Sequence, residues 1–179
     1  VLFFGGRKKL AVKLQGCRGI TIAMWMSSLR RFATSTGYIA RAKELGRQSL
    51  LGSFHSTGER FDSILTGMEC VKVEDGFVEC KVKVTEGMQN SYGTMHGGCT
   101  ATIVDVLGTM ALLTKDAQRA GVSVEMSQSF LAPAKGGEVV TAIGQVTKYG
   151  RALGFTEVRV TDANGKLLAT GRHTKAFPQ

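Results

Sequence analysis

The stretch from Asn90 to Thr114 constrains this chain most. It reads N-S-Y-G-T-M-H-G-G-C-T-A-T-I-V-D-V-L-G-T-M-A-L-L-T. A helix-length apolar run begins directly after His-Gly-Gly. Ala101, Ile103, Val104, Leu107, Met110, Ala111 and Leu112 cover most of the circumference of such a helix. That pattern predicts a central helix over 97–114, buried nearly all round. One carboxylate, Asp105, interrupts the run, and a lone buried carboxylate is costly unless it is paired or used. The first amides of the helix, at Gly97-Gly98, are free N–H donors for an electron-rich ligand atom. A base and an electrophile-activating amide on one element point to acyl chemistry.

The formal charge of +9 suggests a polyanion partner until its distribution is read. Residues 1–43 hold nine of the 23 basic residues and no acid. The remainder balances 14 basic residues against all 14 acidic ones, so the globular part has no general electrostatic reason to bind nucleic acid. Residues 1–43 read as a basic tail ahead of a single domain over 44–179. From Met26 the tail runs M-S-S-L-R-R-F-A-T-S-T, the composition of a mitochondrial presequence, with a cytoplasmic location as the alternative. Residue 1 is Val, and Met24 and Met26 are candidate starts. No run of uniformly apolar residues approaches the ~20 needed to span a bilayer. Cys17, Cys70, Cys80 and Cys99 form no C-x-x-C pair and read as free thiols.

Along the domain, residues 36–65 carry a helical apolar stripe, an N-terminal helical segment. From Met68 the period becomes two. Strands flank the turn Glu74-Asp75-Gly76, with Val78, Cys80, Val82 and Val84 on one face. After the central helix come strands over 122–131, 138–148, 152–161 and 167–177, the last pair joined through Asn164-Gly165 as a type I′ hairpin. An α+β architecture follows: an antiparallel sheet wrapped around one long helix.

That order, with N-x-x-G-x-x-H-G-G-x₆-D, resembles the hot-dog-fold acyl-coenzyme A thioesterases of the PaaI-like group, and within them the acyl-coenzyme A thioesterase 13 subfamily. The likeness rests on Asn90–Gly98, Thr100–Asp105, Thr109–Leu113, Gly121–Val124, Pro133–Lys135 and Gly171–Lys175, and spans roughly residues 47–177. The resemblance implies hydrolysis of medium- to long-chain fatty acyl-CoA to fatty acid and CoA, with no metal or organic cofactor. It implies Asp105 as general base or nucleophile, and the Gly97 N–H as the group that polarises the thioester carbonyl. Asn90 and Ser123 would position water or thioester, and His96 would organise the loop and the helix start. CoA would lie across Phe130, Leu131, Ala132, Pro133, Ala134 and Lys135, and across the turn Lys148, Tyr149, Gly150, Arg151, Ala152 and Leu153. Lys135, Lys148, Arg151 and Lys175 are the cations for its phosphates.

Geometry adds a constraint of its own. Gly97 and Asp105 are eight residues apart, about 12 Å of helical rise. A base and an oxyanion donor acting on one carbonyl must lie within a few Å of it. A twofold dimer with antiparallel facing helices brings Asp105 of one subunit to Gly97 of the other, giving two composite sites. The resembling family commonly pairs such dimers into tetramers. Other chemistries find less support. There is no G-x-S-x-G elbow and no H-E-x-x-H. Cys99, three residues after His96, reads as a small packed residue rather than a nucleophile. A non-hydrolytic acyl-CoA-binding or scaffold protein with the same fold is the competing reading.

Overall fold

Alternating apolar residues after Met68 build a sheet, and the long apolar run builds the helix it holds. The computed structural model describes residues 61–116 and 118–177. The expected tail, the domain boundary near residue 43 and most of the helical stripe over 36–65 lie outside them. The described end of that stripe is a 3₁₀ turn, Phe61–Leu65, rather than α-helix.

The elements in order are β1 (Glu69–Glu74), β2 (Phe77–Lys83), α1 (Gly97–Lys115), β3 (Val122–Phe130), β4 (Val139–Tyr149), β5 (Leu153–Thr161) and β6 (Leu167–Ala176). The strands form one six-stranded sheet in the order β1-β2-β4-β5-β6-β3, antiparallel throughout. β1 and β2 are joined by Asp75-Gly76, with Gly76 at φ 75°, as a tight hairpin turn requires. The β5–β6 connection differs from the two-residue turn expected. The Gly165 N–H donates to the Asp162 carbonyl and the Asp162 N–H to the Lys166 carbonyl, with Gly165 at φ 80°. Asn164-Gly165 therefore ends a three-residue loop instead of filling a two-residue one, and the Asp162 carboxylate accepts the Asn164 and Lys166 amides.

α1 lies across one face of the sheet, chiefly against β4, β5 and β6. Ile103, Val104, Leu107, Met110 and Ala111 are fully buried there with Val78, Val82, Val140, Val158 and Val160. The helix sits low because glycines face it: a Cβ on Gly144 would stand 2.7 Å from the Leu107 carbonyl oxygen. By length and composition α1 is apolar enough to cross a membrane, but 72% of that stretch is buried inside this domain, as in a core helix.

Burial of α1 is not complete. Gly97, Ala101 and Asp105 are only partly covered, and their spacing of four places them on one face. Beside that face, edge strand β3 leaves Val122, Val124 and Met126 at 59%, 57% and 40% exposure. β3 pairs only with β6 among the described residues, so its outer edge carries unpaired backbone groups next to apolar side chains.

Candidate active site

Two clusters form along α1, one at the Phe130 end of the β3–β6 pair and one between the middle of that pair and its Val122 end. β3 and β6 pair Val122 with Ala176 at one end and Phe130 with Ala169 at the other. Eight steps of extended chain separate these ends, about 27 Å.

The first cluster surrounds the start of α1. Asn90 closes an Asx turn: its Oδ1 accepts the N–H groups of Tyr92 at 2.9 Å and Thr94 at 3.2 Å. The loop is tied down by Met95 N–H donating to the Ala134 carbonyl and by a bridge between Thr94 and Lys135. His96 is the N-cap; its Nδ1 accepts the Gly98 N–H at 2.9 Å, which leaves the proton on Nε2. The neighbouring Gly97 N–H has no hydrogen-bond partner among the described residues. Gly97 lines a groove of about 370 Å³ together with Asn90, Thr100, Phe130, Leu131, Ala132, Pro133 and Ala134. A Cβ on Gly97 would touch the Phe130 ring at 3.4 Å, so the ring lies close beside it. An unpaired amide at a helix start, in a groove with apolar walls, suits a polarised carbonyl oxygen.

The second cluster lies eight residues along α1. Asp105 was expected to be buried; in the single chain its side chain is 50% exposed, because it lies on the uncovered face of the helix. Its Oδ1 accepts from Ser123 Oγ at 3.3 Å. Ser123 Oγ is 2.8 Å from His173 Nε2, and that nitrogen is 3.5 Å from Asp105 Oδ1. An ionised carboxylate only accepts. The proton order is therefore His173 Nε2–H to Ser123, and Ser123 O–H to Asp105. A Ser-His-Asp triad would put the acid on the opposite ring nitrogen. Here both partners share Nε2, so Ser123 and His173 orient the carboxylate rather than activate a serine.

Sequence reasoning missed His173 as a site residue. The signal was its phase on β6: Ala169, Gly171, His173 and Lys175 all face inward, toward α1. Lys175, expected among the phosphate cations, shares that phase. It is buried, and its Nζ donates to Thr109 Oγ1 at 2.7 Å. Burial pushes this ammonium down from its ordinary range, while the Asp105 charge opposes the shift.

His173 Nδ1 is buried without a partner among the described residues. It faces Gly108, where a Cβ would lie 2.9 Å from Nδ1 and 2.7 Å from Thr156 Oγ1. A lone pair tolerates that wall, but a second ring N–H would meet no acceptor. The imidazole is accordingly held below its ordinary 6.5 by burial, against the opposing pull of the Asp105 charge. The unfolded chain then binds the extra proton more readily than the fold. Stability should hold above about pH 6.5 and fall as pH drops through the lower folded value. Denaturant midpoints across that window check this, and His173→Gln should flatten the slope. Gly108→Ala should cost about 1–3 kcal/mol by overpacking, read as a drop in denaturation midpoint.

The remaining candidates fall at the ends already named. Lys148, near the end of β4, and Arg151, on the β4–β5 turn, are exposed at the Val122 end, because Leu153 also pairs with Ala176. Lys135 is exposed at the Phe130 end. Burial pushes the Cys99 thiol up to about 11, which leaves little thiolate for a nucleophilic role. Cys70, Cys80 and Cys99 are outside any disulfide.

Known proteins match this arrangement. The thioesterase superfamily model matches residues 92–169. Human acyl-coenzyme A thioesterase 13 is 46% identical over 116 residues, which are 64% of this chain and 83% of that protein. Zebrafish thioesterase superfamily member 2 superposes with a TM-score of 0.70 at 40% identity, covering 73% of this chain and 95% of that one. A hypothetical thioesterase protein of Streptococcus pneumoniae, crystallised with coenzyme A, gives a TM-score of 0.64 at 26% identity, over 72% of this chain and 96% of its own. The chain belongs to the thioesterase superfamily: it is a thioester hydrolase of the hot-dog fold, related to acyl-coenzyme A thioesterase 13.

Proposed function

We propose that the protein hydrolyses medium- to long-chain fatty acyl-CoA in sites that each combine two subunits. The observation that carries this is the split of the candidate residues. Asn90, His96, Gly97 and the loop 130–135 sit at one end of the sheet, while Asp105, Ser123 and His173 lie about 12 Å further along α1, toward the end that carries the turn 148–153. Antiparallel pairing of two β3 edges about a twofold axis sets the Phe130 end of one subunit beside the Val122 end of its mate. The same operation covers Val122, Val124 and Met126 and satisfies the open edge. Pairing of dimers into a tetramer extends this reading.

In such a site the Gly97 N–H, with the helix start behind it, faces the thioester carbonyl oxygen. Asp105 of the mate, held by Ser123, takes a proton from water as the water oxygen bonds to the carbonyl carbon. The tetrahedral intermediate then expels CoA as a thiolate, which takes up the proton. A thioester lacks amide resonance and its thiolate leaves readily, so no separate acid is needed. The pneumococcal relative crystallised with coenzyme A supports a CoA ester as the substrate. The apolar seam along β3 supports an acyl chain of some length.

Thiol release from a series of acyl-CoA esters tests this. Turnover that rises toward medium and long chains, from a protein that sizes as a dimer or a multiple of it, is the expected result. Saturable binding without thiol release would make it an acyl-CoA-binding protein instead. We also propose that the acid-free N-terminal segment directs the chain to mitochondria. A reporter fused to residues 26–43 that stayed in the cytosol would refute that.

A further inference from the structure

The connection from α1 to β3 carries a side chain that the mechanism above does not use. The Arg119 guanidinium carbon lies 4.1 Å from the centre of the Phe177 ring and 5.4 Å from that of Tyr149. The two rings are themselves 5.2 Å apart and tilted by 47°. One guanidinium nitrogen donates to Tyr149 Oη at 3.4 Å, and another donates to the Arg151 carbonyl oxygen. Arg119 thus ties together the start of β3, the end of β6 and the β4–β5 turn. Within that turn the Gly150 N–H donates to the Leu153 carbonyl at 2.8 Å, and the Phe177 N–H reaches the Ala152 carbonyl at 2.8 Å.

We propose that Arg119 is a positioning residue for the nucleotide end of a CoA ester. This rests on the composite-site reading, in which the turn 148–153 joins its mate's groove. Arg151 is exposed and projects from that turn, and exposed Lys148 ends the strand that enters it, so the placement of Arg151 above all depends on the turn's backbone. Long cationic side chains on a loose turn must be ordered when a polyanion arrives, and that ordering weakens binding. A guanidinium bonded to the Arg151 carbonyl and held over the Phe177 and Tyr149 rings removes part of that cost beforehand. Its planar fork is essential: an ammonium keeps the charge but cannot stack flat and donate in two directions.

The test pairs two substrates and two variants. Arg119→Ala should raise KM for acyl-CoA about tenfold, the loss of roughly one charge-assisted phosphate contact, with kcat within about twofold of wild type. KM for an acyl-pantetheine, which lacks the nucleotide, should not change. Hydrogen exchange at the Gly150 amide should accelerate. Arg119→Lys should behave like the alanine variant. Equal KM changes for both substrates would overturn the proposal, as would full rescue by lysine, which makes charge alone sufficient. Faster exchange with no change in KM would also overturn it while leaving the hydrolase reading intact. Should the wild type release no thiol at all, that reading fails separately. Calorimetry with CoA then decides: tenfold weaker binding by Arg119→Ala supports the proposal, and equal binding ends it.

Discussion

Asp105→Asn should lower kcat by about a thousandfold, the scale of a lost general base. Asparagine is nearly the same size and keeps an oxygen that can accept the Ser123 hydroxyl. It cannot take a proton from water. The site is half open and lies on the uncovered face of α1, so the near-isosteric change leaves the packing of the core in place, although it removes the charge beside His173 and Lys175. Thermal midpoint and assembly size should therefore match wild type, and CoA-ester binding should persist. Those controls separate chemistry from folding. Turnover within tenfold of wild type would remove Asp105 from the base role and shift attention to the Ser123–His173 pair beside it.

The order of elements was legible because each local signal agreed with the fold. Period two after Met68, Gly76 in its turn and the apolar run after His96 all describe what forms. The end of α1 and the starts of the strands fell within a residue or so of the pattern. The apolar circumference of α1 predicts burial nearly all round, yet Gly97, Ala101 and Asp105 are only partly covered. Small and apolar residues such as Gly97 and Ala101 give the same pattern whether their face is fully packed or left partly open, so the pattern does not distinguish the two. Lys175 and His173 were misjudged for another reason. Strand phase places both inward, but cations and imidazoles are expected outside, and only the packed structure shows Thr109 and Ser123 waiting for them. The Asn164-Gly165 turn shows a smaller limit: the dipeptide suits several hairpins, and the Asp162 carboxylate selects among them.

A complementation experiment gives the second large effect. Gly97→Pro removes the N–H and adds a ring whose Cβ would lie about 3.4 Å from the Phe130 side chain, an ordinary contact distance. Gly97 opens α1, where proline is well accepted, and His96 at φ −64° and ψ 138° already has the conformation that a following proline favours. Losing the oxyanion donor should cost about 10²–10³ in kcat. Alone, then, Gly97→Pro and Asp105→Asn are both nearly inactive. Co-expressed, they assort at random, and half of the dimers are hybrids. In a site shared between subunits, one of the two sites in each hybrid joins an intact Gly97 to an intact Asp105, and the other joins two defects. Activity should return to about a quarter of wild type, orders of magnitude above either parent. If each chain held a whole site, every site in the mixture would carry one defect and nothing would return. The 12 Å of helix between the two residues makes recovery the expected result. A mixture as inactive as its parents, with hybrids demonstrated by differential tagging, would show that Gly97 and Asp105 do not meet across the seam.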